Sequence, residues 1–232
     1  MAEKWRNVIE GLLTKANAAG VTEAERDALI DKATYLMAKY GIEEAKARDK
    51  VTGEQVIYLD IKFSSHYRKQ AKTLLAEIAI HLGGKPVFLD NSNAVRVFGY
   101  KGDLDRIKML YASLHTQMLF GVMEASTKKP SYINGKSYNS SWMYGFVVEV
   151  GNRLHYMNKR IKTEEPDNLP VLRNRETEVD QAVDEAFPNL KYIKHDLTAS
   201  SQNGFTDGFA AGRRADLGSS KLSRENRKGI GT

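Results

Sequence analysis

Apolar and polar residues alternate from Ile57 to Phe63. Ile57, Leu59, Ile61 and Phe63 fall on one side, and Tyr58, Asp60 and Lys62 on the other. A period of two is that of a half-buried strand. The period then changes. Tyr67, Ala71, Leu74, Leu75, Ile78 and Leu82 recur at three and four residues, so a helix is predicted, with Ser64 and Ser65 as N-cap candidates and Gly83-Gly84 as its stop. Val87 and Leu89 begin a second strand, and Asp90-Asn91-Ser92-Asn93 is turn chemistry. The return strand puts Val95, Val97 and Gly99 on one face and Ala94, Arg96 and Phe98 on the other. Asp103 is expected to cap a helix carrying Leu104, Ile107, Tyr111, Leu114 and Met118. A small antiparallel sheet covered by two helices is the expected centre of the chain.

The flanks read as helices. Trp5, Val8, Ile9, Leu12, Leu13 and Ala16 form one apolar stripe; Leu29, Ala33, Leu36, Met37 and Tyr40 form a second. Between them Thr22-Glu23-Ala24-Glu25 has the pattern of a capping box. An αα-hairpin is expected over residues 1–45. Glu43 to Gly53 is charged and reads as a linker. After the central stretch, Ser126 to Ser141 is polar and is expected to be a mobile loop. Trp142, Phe146, Val147, Val150, Leu154 and Met157 predict a long helix. Pro166 and Pro170 make Thr163 to Arg173 a loop, Glu176 to Phe187 reads as a short acidic helix, and Tyr192 to His195 as a short strand or extended connection. Gly204, Gly208 and Gly212 repeat every four residues. On a helix they line one face and let another backbone approach. Phe205 and Phe209 repeat at the same interval, which favours close helix packing over an anion-binding turn. The expected fold class is α+β: the αα-hairpin, an α+β domain over 54–217 with a small antiparallel sheet and C-terminal helices, and a basic tail over 218–232.

Composition narrows the chemistry. The 232 residues are 41% hydrophobic and 28% charged, enough for a core and ordinary for a globular chain. No apolar run approaches the roughly 20 residues of a membrane span, and the amphipathic N-terminus lacks a signal-peptide core. The absence of cysteine excludes disulfides, thiol nucleophiles and cysteine–zinc sites. A cytoplasmic location is expected, in the host cytoplasm if the chain is phage-encoded.

The residues Ile9, Leu12-Leu13, Ala16, Gly20, Thr22-Glu23-Ala24-Glu25, Ala33 and Leu36-Met37-Ala38-Lys39-Tyr40-Gly41-Ile42 resemble the DUF2786 family, a small domain of unknown function common in actinobacterial and bacteriophage proteins. The remainder resembles the companion domain that usually follows it, through Val97-Phe98-Gly99-Tyr100 and Ser141-Trp142-Met143-Tyr144-Gly145-Phe146. The resemblance implies a phage or bacterial accessory protein. It implies no activity and no catalytic residues.

Enzymatic signatures are missing from the sequence. His66, His81, His115, His155 and His195 show no HExxH spacing. The glycine repeat matches neither a dinucleotide fingerprint nor a phosphate loop, and there is no GxSxG elbow. No cofactor, metal ligand or catalytic residue is assigned. What stands out is charge. The net charge is +6, and its excess is clustered. Lys128, Lys129 and Lys136 interleave with Tyr132 and Tyr138. Arg153, Lys159, Arg160 and Lys162 follow on one predicted helix. Arg213, Arg214, Lys221, Arg224, Arg227 and Lys228 end the chain. Cations with interleaved aromatics suit phosphate tracking and base stacking. The expected function is therefore a non-catalytic accessory protein that contacts DNA or RNA through this loop, helix and tail. Two alternatives stay open. One is a phage protein that inhibits a host enzyme or defence system by binding it; the other is an enzyme with a dispersed, histidine-centred metal site.

Overall fold

The computed structural model describes residues 55–64, 67–89, 92–164, 169–191 and 198–217, together with twelve separate positions between Val8 and Lys39. The described elements run β1 (Ile57–Lys62), α1 (Arg68–His81), β2 (Lys85–Phe88), β3 (Ala94–Gly99), α2 (Lys101–Lys128), α3 (Gly135–Glu164), α4 (Leu169–Ala186) and α5 (Gln202–Arg214). The fold is α+β, and the described residues are mostly helical with one three-stranded sheet. Its order is β1-β3-β2, and β3 pairs antiparallel with both neighbours.

The alternation seen in the sequence sets the two faces of the sheet. Leu59 lies opposite Val97, and Ile61 opposite Val95. This face meets Leu74, Leu75 and Ile78 of α1 and Leu104, Ile107 and Leu114 of α2 in one core. Trp142, Met143, Phe146, Val150 and Leu154 of α3 continue that core, which ends at Ala215 and Leu217. The opposite face carries Val87 and Phe98, which pack with Tyr100 and with Val179 and Val183 of α4. Nearer β1 it carries Arg96, held by a two-pronged bond to Asp60 at 2.8 Å and stacked over the Tyr58 ring. Gly83 ends α1 at φ +82, a left-handed conformation that glycine adopts without strain.

Several boundaries differ from the sequence reading. α1 begins at Arg68, with Tyr67 as N-cap and no side-chain cap bond, so Ser64 does not cap it and Ser65 lies outside the described residues. Tyr100, not Asp103, is the N-cap of α2, and again no side chain caps it. The expected loop from Ser126 to Ser141 is far shorter. α2 continues to Lys128, and α3 starts at Gly135 because Asn134 caps it: the Asn134 carboxamide oxygen accepts the Ser137 amide at 3.1 Å. At the other end α3 runs to Glu164 and α4 starts at Leu169, so the expected loop from Thr163 to Arg173 is mostly helix. Pro170 falls in the first turn, where a missing amide breaks no intrahelical bond. The acidic helix expected from Glu176 is therefore the second half of α4.

The predicted αα-hairpin falls largely outside the described residues. Its described positions are helical apart from Thr22, which forms the capping box: the Glu25 amide donates to Thr22 Oγ1 at 3.3 Å, and the Thr22 amide to the Glu25 carboxylate at 3.4 Å. The linker at Glu43–Gly53, the connection at Tyr192–His195 and the tail from Gly218 lie outside the described residues.

The glycine repeat is a packing device. Gly204, Gly208 and Gly212 are the buried residues of α5. They face the carbonyl oxygens of Tyr138, Trp142 and Phe146 on α3, and Gly145 of α3 faces Phe205 and Phe209 in return. Entry to α5 is fixed by Ser141, whose fully buried hydroxyl oxygen accepts the amides of Ser200 and Ser201, each at 3.0 Å. Ser141→Ala strands both amides. We expect a loss of about 2 kcal/mol in denaturant unfolding, with faster hydrogen exchange at Ser200 and Ser201. An unchanged midpoint would show that the two amides find other partners.

Candidate functional site

Among the described residues, the basic positions picked out by the sequence do not form one surface. Lys128 ends α2 in an ion pair with Glu124, and the Lys129 ammonium donates to the Ile133 carbonyl. Tyr132 and Lys136 are exposed at the turn between α2 and α3. Tyr138 is not available for stacking. It is 2% exposed, and its hydroxyl donates to the Asp207 carboxylate at 2.6 Å. Burial, reinforced by Asp207, raises its pKa above the ordinary tyrosine range. The sequence reading missed this because Tyr138 was placed in a loop, whereas it sits on the inner face of α3.

Arg153 also has a structural task. Its guanidinium donates to the carbonyls of Gly212 and Ala215 at 2.9 and 2.8 Å and so closes the C-terminal end of α5. Arg213 pairs with Glu149 and lies over Phe209; Arg214 is exposed beside it. Arg160 binds Glu164 and stacks on Tyr35, whose hydroxyl donates to Glu164 as well. Tyr35 first, then Arg160, hold the Glu164 carboxyl below its usual range. Lys221, Arg224, Arg227 and Lys228 lie outside the described residues.

The remaining candidates form a smaller cluster. Lys159 and Lys162 are exposed and three residues apart, hence on one face of α3. Tyr156, one turn before Lys159, is 68% exposed. Neither lysine makes an ion pair among the described residues. Lys136 is roughly 30 Å from Tyr156 along the same helix, and farther from the two lysines, at about 1.5 Å per residue, and so belongs to another part of the molecule.

A second feature was not legible in the sequence. A cleft of about 940 Å³ lies between the end of α1, strand β2, the last turns of α3 and helix α4. Ile80, Val87, Phe88, Ile161, Leu172 and Phe187 contribute its apolar wall. Its inner charges are matched to each other. Asp103 accepts from Arg106 and, at 2.8 Å, from Arg175, and Arg175 lies 3.6 Å from the centre of the Tyr100 ring. Lys85 pairs with Asp180 at 2.6 Å. Lys162 and Lys191 are exposed on the lining, as is Glu176. The lining side chains count five cations (Lys85, Arg106, Lys162, Arg175, Lys191) against three carboxylates (Asp103, Glu176, Asp180), or 5 − 3 = +2.

His81 lines this cleft. Its ring meets that of His155 at 5.8 Å, and Glu77 approaches to 3.7 Å. Burial, with His155 and Lys162 close by, lowers the His81 pKa, while burial raises that of Glu77. Desolvation outweighs their mutual attraction, so the imidazole is neutral at pH 7. Among the described residues no group of three or more histidine or carboxylate side chains is placed to hold a metal ion. His66 and His195 lie outside them. No described helix is long and apolar enough to cross a membrane.

Residues 7–44 match the family described as "Protein of unknown function (DUF2786)". No curated protein and no solved structure matches the chain.

Proposed function

We propose that the protein is a non-catalytic accessory protein, of phage or bacterial origin, that contacts the phosphate backbone of DNA or RNA through the C-terminal end of α3. The supporting observation is the Tyr156–Lys159–Lys162 cluster. It offers two exposed cations on one face with an exposed aromatic ring beside them. Such a surface neutralises phosphates and stacks a base without reading sequence. Arg214 is exposed as well, and the sequence carries further cations at Lys221, Arg224, Arg227 and Lys228. Tyr138 and Arg153, engaged inside the fold, drop out of the contact set.

The test is fluorescence anisotropy with labelled single- and double-stranded DNA and RNA across a salt series. Affinity should fall as salt rises. In the Lys159→Glu, Lys162→Glu double variant it should drop by about tenfold or more, with a salt slope shallower by about two contacts. No binding at low salt, or equal binding by the variant, would refute the reading.

A second reading has its own observation. Phe120 and Met123, 69% and 65% exposed, stand on the outer side of α2. Exposed apolar residues of this kind suit a protein partner, such as a host enzyme or defence component. Capture of one stoichiometric host protein that survives nuclease and is lost in Phe120→Ser would replace the nucleic-acid reading.

A further inference from the structure

We propose that the cleft between α1, β2, α3 and α4 binds a small amphipathic anion, an aliphatic or aryl body with one carboxylate. The body would lie against the apolar wall, and the carboxylate would face the rim lysines. Three observations carry this. The volume, about 940 Å³, is that of a small-molecule pocket and is far larger than a packing defect. The wall is built by residues from four elements, and Ile80 remains 57% exposed on it, so apolar surface is left open to solvent inside a concave site.

The sign of the charge follows from the rim. The inner ionic groups already face one another: Asp103 with Arg106 and Arg175, Lys85 with Asp180. They supply orientation and polarity more than net field. Lys162 and Lys191 at the rim outnumber Glu176, and neither makes an ion pair among the described residues. His81, held neutral, adds no charge of its own. An anionic head is attracted there and a cationic head is repelled.

The site is independent of the phosphate-contacting surface, apart from Lys162. The experiment therefore avoids Lys162. The full-length protein is titrated calorimetrically with dodecanoate, dodecylammonium and acetate, the amphiphiles below their micelle concentrations. Dodecanoate should saturate at one per chain. Acetate should give no heat, and dodecylammonium should bind about tenfold more weakly or less, as a reversed head charge predicts. Ile80→Asp, at an exposed position, should weaken dodecanoate about tenfold by placing a charge on the apolar wall. Lys191→Glu should erase the preference for the anion. Lys159→Glu, outside the cleft, should leave dodecanoate binding unchanged while weakening nucleic acid, which separates failure of one proposal from failure of the other. Non-saturable binding, equal binding of the two amphiphiles, or an Ile80→Asp protein that folds normally and binds dodecanoate like the parent would overturn the assignment.

Discussion

Gly208→Ala should detach α5 from α3 and cost about 3 kcal/mol or more in denaturant unfolding. An added Cβ at Gly208 points straight at the Trp142 carbonyl, well inside van der Waals contact, and its neighbours there are backbone atoms on both sides. Backbone cannot swing aside as a long side chain does, so relief requires the helices to separate. Separation in turn opens the contacts above and below. Gly204 lies on Tyr138, Gly212 on Phe146 and Glu149, and Gly145 meets Phe205 from the other helix. It also pulls Arg153 away from the α5 carbonyls and Asp207 away from the Tyr138 hydroxyl. Helix propensity alone would predict the opposite sign, since alanine is favoured over glycine by up to about 1 kcal/mol. Gly11 supplies that comparison. It is helical, and among the described residues a Cβ there meets nothing within 4 Å, so Gly11→Ala should be neutral or slightly stabilising. Equilibrium unfolding of the two variants, with limited proteolysis between Thr198 and Leu217, decides the matter. A Gly208→Ala protein as stable as the parent would mean that α5 does not depend on backbone contact.

The glycine repeat was readable because its cause is periodic. Four-residue spacing survives in the sequence whatever the partner helix is, though that partner, α3, was not visible. The sheet was equally legible, because Leu59 and Ile61 alternate with exposed Tyr58, Asp60 and Lys62, and Val95 and Val97 share a face across Arg96. Helix ends were not. Asn134 caps α3 from within a polar stretch that looks like a loop, and Pro170 sits in a first turn where the same residue further along would break the helix. Both boundaries bear on the site. A loop placement made Tyr138 look exposed, and a helix broken near Pro170 concealed the wall that α4 gives to the cleft. Charge was the least legible property. Arg153, Arg160 and Lys159 are indistinguishable in sequence, but one closes a helix, one pairs with Glu164 and Tyr35, and one is exposed. Only tertiary partners separate a structural cation from one facing solvent.

Asp103→Ala should also cost about 3 kcal/mol, for a different reason, and should loosen α4 in particular. Asp103 sits on α2, its side chain 11% exposed, and Arg175, equally covered, reaches it from α4. The same arginine lies over the Tyr100 ring, whose hydroxyl donates to Glu178 one turn further along α4. α4 otherwise meets the sheet through Val179 and Val183 against Val87 and Phe98, and through the Lys85–Asp180 ion pair. Removing the carboxylate takes away the acceptor that both guanidiniums share, Arg175 where little solvent reaches it, and the easiest escape is for Arg175 to move out with its helix. Replacing the pair together, as in Asp103→Leu, Arg175→Met, removes both the buried charge and its partner and should recover much of the loss. Asp103→Asn keeps a hydrogen-bond acceptor but not the charge, so it should fall between. Hydrogen exchange along α4 and unfolding midpoints for the three variants give the comparison. If Asp103→Ala and the double variant were equally destabilised, the contribution of Asp103 would be packing rather than charge. Because the same residues form the inner end of the cleft, Asp103→Ala should also alter dodecanoate binding, whereas Gly208→Ala acts on the far side of α3 and should not until the whole fold opens.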